Sequence, residues 1–199
     1  MLDSVRAMPH HRRLGVGVRR GLLILLLWAL PVYAAEVPAA LRNWLQALDS
    51  APTPAQLQRA GGPQTAALLE RVARDAHELP LVRNRALGLL SLLDDAPSEA
   101  RLRDLLRLPE DRLRATAALA WLAGPARRHG AGTEATVAAL LADRAAGVRS
   151  AAARGLGYLA DPRQARALAV QQRAREADPT VRAALDAAMR QLDRAAPQR

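Results

Sequence analysis

Cysteine is absent from the 199 residues, which excludes a disulfide, a thiolate nucleophile, a cysteine-ligated metal and acylation of an N-terminal lipoprotein cysteine. Lysine is absent too, so all 29 basic residues are arginine. The excess of Arg, Ala, Leu, Gly and Pro carries the imprint of GC-rich coding, and the arginine count alone therefore says nothing about function. Phenylalanine is missing and aromatics make up only 3%. With β-branched residues also scarce, the strand formers of a sheet are lacking. Alanine and leucine supply most of the hydrophobic half of the chain, and they fill the close-packed faces of helices. The class implied is all-α, with room for one ordinary domain or one short repeat array.

Long apolar runs are lacking as well. The uncharged stretch from Gly21 to Ala35 covers 15 residues, short of the ~20 that a membrane-spanning helix needs. It follows a basic segment with two Arg-Arg pairs, is broken by Pro31, and ends in Val32-Tyr33-Ala34, with small residues where a leader peptidase reads. That order predicts a signal peptide over 1–34, cleaved near Ala34, and a periplasmic or secreted product with no stable membrane span after cleavage. Translation from Met8 would give a shorter basic leader, and Arg19-Arg20 before Gly21-Leu22-Leu23 resembles a twin-arginine signal, so start and export route stay open. The leader holds five arginines and Asp3, which leaves +6 of the +10 formal charge on the remainder. An excess of that size aids solubility and specifies no ligand.

What is present in abundance is a period. In VRSAAARGLGYL, Val148, Ala152, Gly155, Leu156 and Leu159 fall on one face at 3.6 residues per turn. The same template fits Val181–Leu192, and more loosely Leu113–Gly124 and Val82–Leu93. Each copy opens on an aliphatic residue followed by arginine (Val82-Arg83, Leu113-Arg114, Val148-Arg149, Val181-Arg182), at spacings of 31, 35 and 33 residues. Stacked helical hairpins repeat at that interval. Val82, Leu113, Val148, Val181, Leu156 and Leu159 are the expected structural positions, and the array is expected over 63–195, after an N-terminal capping hairpin at 35–62.

Cap and breaker residues place the other helices. Thr53 with Pro54 should open a helix that stops at Gly61-Gly62, Ser98 and Thr133 should cap two more, and Asp161-Pro162 and Asp178-Pro179 should open the last two. His77 should close a helix. GPARRHGAG, Gly124 to Gly132, reads as the one long connection.

Val148-Arg149, Ala152-Ala153, Leu156-Gly157 and Leu159, with Asp178-Pro179-Thr180-Val181-Arg182-Ala183-Ala184, resemble the second helix of HEAT and HEAT-like repeats. The resemblance covers roughly 64–194. It implies a right-handed α-solenoid of about four to five hairpins, whose second helices line a concave, protein-binding surface. It also implies that Arg83, Arg114, Arg149 and Arg182 tie neighbouring repeats through acids nearby upstream, at Glu78, Asp111, Asp143 and Asp178; a basic ladder for an anionic polymer is the alternative. Fold alone names no function.

The expected partner is a protein, met by a strip of Arg85, Ser150, Arg154 and Tyr158 on the second helices. Arg127, Arg128 and His129 form a basic loop tip that is either a solvated connector or a contact for an acidic partner. Catalytic and cofactor motifs are not in evidence: no Ser-His-Asp order, HExxH, phosphate loop or GxGxxG occurs. After cleavage His77 and His129 are the remaining histidines, without a second ligand at metal spacing. Some HEAT-like proteins are lyases or nucleobase glycosylases, which keeps an enzyme as one rival. Nucleic acid is the other, but Trp44, Trp121 and Tyr158 are too few aromatics for a stacking platform.

Overall fold

A computed structural model describes residues 36–47, 50–129 and 133–195. The expected leader at 1–34 lies outside them, as do 196–199, where fraying is expected. Every regular element among the described residues is helical. The α-helices of eight residues or more are, in order, α1 (Ala39–Gln46), α2 (Pro54–Gly61), α3 (Thr65–Arg74), α4 (Pro80–Leu92), α5 (Ala96–Leu105), α6 (Asp111–Trp121), α7 (Glu134–Leu141), α8 (Ala146–Gly155), α9 (Pro162–Arg175) and α10 (Pro179–Ala195).

Local chemistry accounts for the boundaries. Thr53 and Gln56 form a reciprocal capping box at the start of α2, with Pro54 in the first turn. Gly62, at φ +65°, stops that helix in a conformation that few other residues adopt. Asp161 accepts from the N–H groups of Arg163 and Gln164 at 2.9 and 3.2 Å, and Asp178 from those of Thr180 and Val181 at 2.8 and 3.1 Å. Two assignments move. Asp95, not Ser98, caps α5, accepting from the Ser98 N–H at 2.7 Å while the Ser98 side chain is buried in the first turn. His77 lies beyond the end of α3, in a turn where its N–H donates to Asp75 at 2.9 Å.

Packing follows the period. Helix α1 packs on α4, α4 on α6, α6 on α8 and α8 on α10, while α3, α5, α7 and α9 each pack on the helix that follows them. Val82, Leu113, Val148 and Val181 are each the third residue of their helix, and all are buried. Leu41 occupies the same third position in α1 and is buried too, so the row of equivalent helices begins one member earlier than the spacing indicated. A lone hairpin with one Leu-Ala face cannot offset backbone ordering at ~1–2 kcal/mol per residue. Each fully buried leucine contributes ~1.5–3 kcal/mol, and neighbours supply the cover.

Small residues let the row close up. Ala117, Ala118, Ala151, Ala152 and Ala153 are all buried. A methyl group on Gly155 would collide with the Leu122 side chain, and one on Gly157 would lie 2.6 Å from Gln191 Nε2. Close approach is thus the compensation for glycine's helix penalty. The α-helical part of α8 nevertheless ends at Gly155; Leu156–Tyr158 is a 3-10 turn, so Leu156 is buried and Leu159 sits half-buried beyond the helix.

The expected long connection is largely absent. From α6 the chain passes through a π turn, Leu122–Ala126, that holds Pro125, and into one further helical turn, Arg127–His129. A wider turn tolerates a residue without an N–H. Gly124, Pro125 and Ala126 are buried, and a methyl on Gly124 would lie 2.5 Å from the Ser91 carbonyl. Replacing Val148 by Asp should cost about 3 kcal/mol or more in chemical denaturation, because it buries an unpaired charge. Ala139→Asp, at an exposed position of α7, should stay within about 0.5 kcal/mol.

Candidate functional site

The arginine after each third-position aliphatic is the fourth residue of its helix, and it reaches in two directions. Arg83 Nε donates to the Ala73 carbonyl at 2.9 Å, while its two terminal nitrogens grip Glu110 at 2.7 and 3.3 Å. Arg114 donates to the Leu108 and Pro109 carbonyls at 2.6 and 3.3 Å, to Asp111 at 2.8 Å, and to both oxygens of Asp143 at 2.9 and 3.0 Å. Arg149 donates to the Asp143 and Arg144 carbonyls at 2.9 and 3.1 Å and to both oxygens of Glu176 at 2.8 and 2.9 Å. Each guanidinium therefore ties its own hairpin's turn to the turn before the next row helix.

That geometry revises the expected pairing. The Asp-Arg tie between repeats exists, but the acid belongs mainly to the following unit: Arg83 takes Glu110 rather than Glu78, and Arg149 takes Glu176 rather than Asp143 or Asp178. Glu78 instead receives Arg42, the fourth residue of α1, at 3.3 Å. Arg182, in the last helix, is exposed, and no ion pair is formed by it among the described residues. Sequence reasoning missed the Leu41-Arg42 member, although the dipeptide followed by Leu45 was a visible signal.

The ties are electrically strong where they are buried. Hydrogen bonds from Arg149 hold the Glu176 carboxylate down at about 2, against the desolvation that opposes its charge. The Asp178 N–H and the Gln172 side chain complete its shell at 3.0 Å each. Burial disfavours the charge of Asp143, yet Arg114 and the Ala145 N–H together keep it below the ordinary carboxylate range. Asp143 in turn raises Arg114.

Beside this ladder lies an open cleft of about 450 Å³ that spans α4, α6 and α8. Pro80 and Asn84 contribute from α4, Arg112, Ala115 and Thr116 from α6, and Gly147 and Arg154 from α8; the Arg83–Glu110 tie is part of its wall. Among the described residues, no group of three or more His, Asp or Glu side chains is gathered as metal ligands would be.

The expected contact residues are distributed unevenly around it. Arg154 is exposed and lines the cleft, Ser150 is half-buried on the same helix, and Tyr158 is 40% exposed in the 3-10 turn. Arg85 is partly buried at the other end of the row, where it donates to the main-chain carbonyls of Trp44 and Ser50. Those two carbonyls anchor it in a structural role. Arg128 is likewise engaged: it donates to the Ser91 and Leu93 carbonyls at 3.2 and 3.0 Å and pairs with Asp94 at 2.8 Å, satisfying the end of α4. Arg127 is exposed, and the His129 side chain lies outside the description. Arg112 is the cleft residue that the sequence did not flag, because it precedes the Leu-Arg pair and breaks no pattern.

No family model matches the chain, and neither does a curated protein or a solved structure.

The ladder carries a pH signature. Glu176 titrates lower in the folded than in the unfolded chain, so its contribution is complete above about 4.5 and disappears as pH falls toward about 2. Glu176→Gln should flatten the stability profile, measured by denaturant melts, across that acid interval. The rungs should also rank by burial. Arg114→Met, whose arginine side chain is 6% exposed, leaves Asp143 without its main partner and should cost about 3–5 kcal/mol. Arg42→Met, at 45% exposure, should cost no more than about 1 kcal/mol.

Proposed function

We propose that the chain is an exported, non-enzymatic protein-binding scaffold, a short right-handed α-solenoid of HEAT-like hairpins. The observation that carries this reading is the division of labour along the row α1, α4, α6, α8 and α10. One set of arginines is occupied in holding successive units in register, while the adjoining open cleft keeps the Asn84 amide, the Thr116 hydroxyl and the Arg112 and Arg154 guanidiniums accessible over three consecutive members. Such an open surface of mixed polar and apolar character suits the side chains of another protein better than the enclosed, mostly apolar site that a small molecule requires. The basic-then-apolar leader with Ala34 at its end supports export to the periplasm. Among the described residues no helix is long and apolar enough to cross a membrane.

Two measurements test it. Intact mass of the protein recovered from the periplasm should correspond to a chain that begins at Ala35; material that keeps residues 1–34 in the membrane fraction would replace export with anchoring. In crosslinking followed by mass spectrometry, Arg154→Glu with Tyr158→Ala should reduce the captured proteins by about tenfold, while stability changes by no more than about 0.5 kcal/mol. Unchanged capture would remove this face from the function.

A further inference from the structure

We infer that the cleft over α4, α6 and α8 takes an acidic peptide segment of the partner protein, with carboxylates on separate residues pairing with Arg112 and Arg154. The inference rests on the scaffold reading and names the chemistry of its partner. It comes from asking which charges in the cleft are already neutralised. Glu110 receives two nitrogens of Arg83. Asp111 receives Arg114 at 2.8 Å and has Arg144 at 3.8 Å. Both acids of the cleft are therefore occupied by arginines.

Arg112 and Arg154 are different. Both are exposed and both line the cleft, and neither guanidinium has a hydrogen bond or ion pair among the described residues. Elsewhere on the row, Arg42, Arg83, Arg85, Arg114 and Arg149 are all held by acids or carbonyls. Two uncompensated cations in one open concavity attract anions, and a guanidinium fork matches a carboxylate in particular.

The spread of the two cations selects among anions. Arg112 is the second residue of α6, and Arg154 belongs to the last turn of α8. Packed helix axes lie about 8–10 Å apart. Carboxylates carried on different residues of a chain can reach both, whereas a single phosphate presents one centre. The rest of the surface suits a backbone. Gly147 and Ala115 offer a floor with little side-chain bulk, and Thr116, whose hydroxyl donates to the Arg112 carbonyl at 3.2 Å, keeps its acceptor side open for a peptide N–H. At the α4 edge, Pro80 is flanked by Leu79 and Leu81, which are 68% and 58% exposed. Apolar residues between the acids of the segment would cover them.

The test uses the protein as cells produce it and a fluorescein-labelled peptide of alternating glutamate and leucine. Fluorescence anisotropy at low salt should show binding that is absent with the glutamine counterpart and that weakens as salt is raised. Arg112→Gln with Arg154→Gln should weaken it by about tenfold or more. Arg163→Gln with Arg194→Gln removes the same charge from exposed positions elsewhere and should change it by no more than about twofold. Equal weakening by the two double variants would reduce the effect to general surface charge and overturn the inference. So would failure of the glutamate peptide to bind, or its complete displacement by inorganic phosphate at matched concentration. If any of these occurs while Arg154→Glu with Tyr158→Ala still loses captured proteins, the scaffold reading stands and the acidic chemistry alone is wrong.

Discussion

Everything in this fold is keyed to one contact, the reach of a fourth-position arginine from its own helix to the acid that opens the next unit. The aliphatic residue before it fixes that arginine's place, because a buried third residue leaves the fourth at the edge of the helix, beside the turn. From there the guanidinium meets carbonyls of its own hairpin on one side and a carboxylate from the next on the other. A planar fork with five donors can serve both at once; a lysine ammonium presents a single point. Buried ion pairs of this kind add less net stability than their short distances suggest. Their value lies in register, since a neighbouring helix that slipped by a turn would strand both charges.

Burial along the row is graded. The Arg42 tie is open to solvent, the Arg114 tie is enclosed, and Arg182 is exposed and forms no ion pair among the described residues. Members in the middle are covered on both sides by alanine-rich neighbours, while α1 and α10 each pack on one row helix among the described residues. Nearest-neighbour stacking produces this profile whenever no unit can bury its own face. The cleft sits over the central members for the same reason. Three successive row helices must be rigidly spaced before their side chains can present a common surface, and the ladder supplies that spacing.

Several features were legible before any coordinates. The Val-Arg and Leu-Arg openings and the cap-then-proline starts at Asp161 and Asp178 depend on interactions within a turn or two of helix, which the local sequence contains. Misjudged elements share a different cause. Gly124-Pro125 looks like a break, yet the chain remains helical there because α4 packs against Gly124 and Arg128 holds the carbonyls at its end. Leu41-Arg42 escaped the period because α2 and its 3-10 extension lengthen the interval to the next pair. Of the proposed contact strip, Arg154 and Tyr158 were read correctly as accessible, while Arg85 is drawn to carbonyls around α1 that only the fold brings near.

An all-helical chain with one buried residue at the third place of each row helix follows from composition and period, because hydrophobic burial at 3.6 residues per turn is a local rule that the order of residues obeys by itself. Which carboxylate each arginine takes is not local. Glu110, Asp143 and Glu176 lie 27 to 29 residues beyond Arg83, Arg114 and Arg149, although an acid lies nearer in sequence to each and one of these, Asp111, pairs with Arg114 as well. Stacking decides the matter, by bringing the next turn within reach of a side chain, and in so doing leaves Arg112 and Arg154 facing open space.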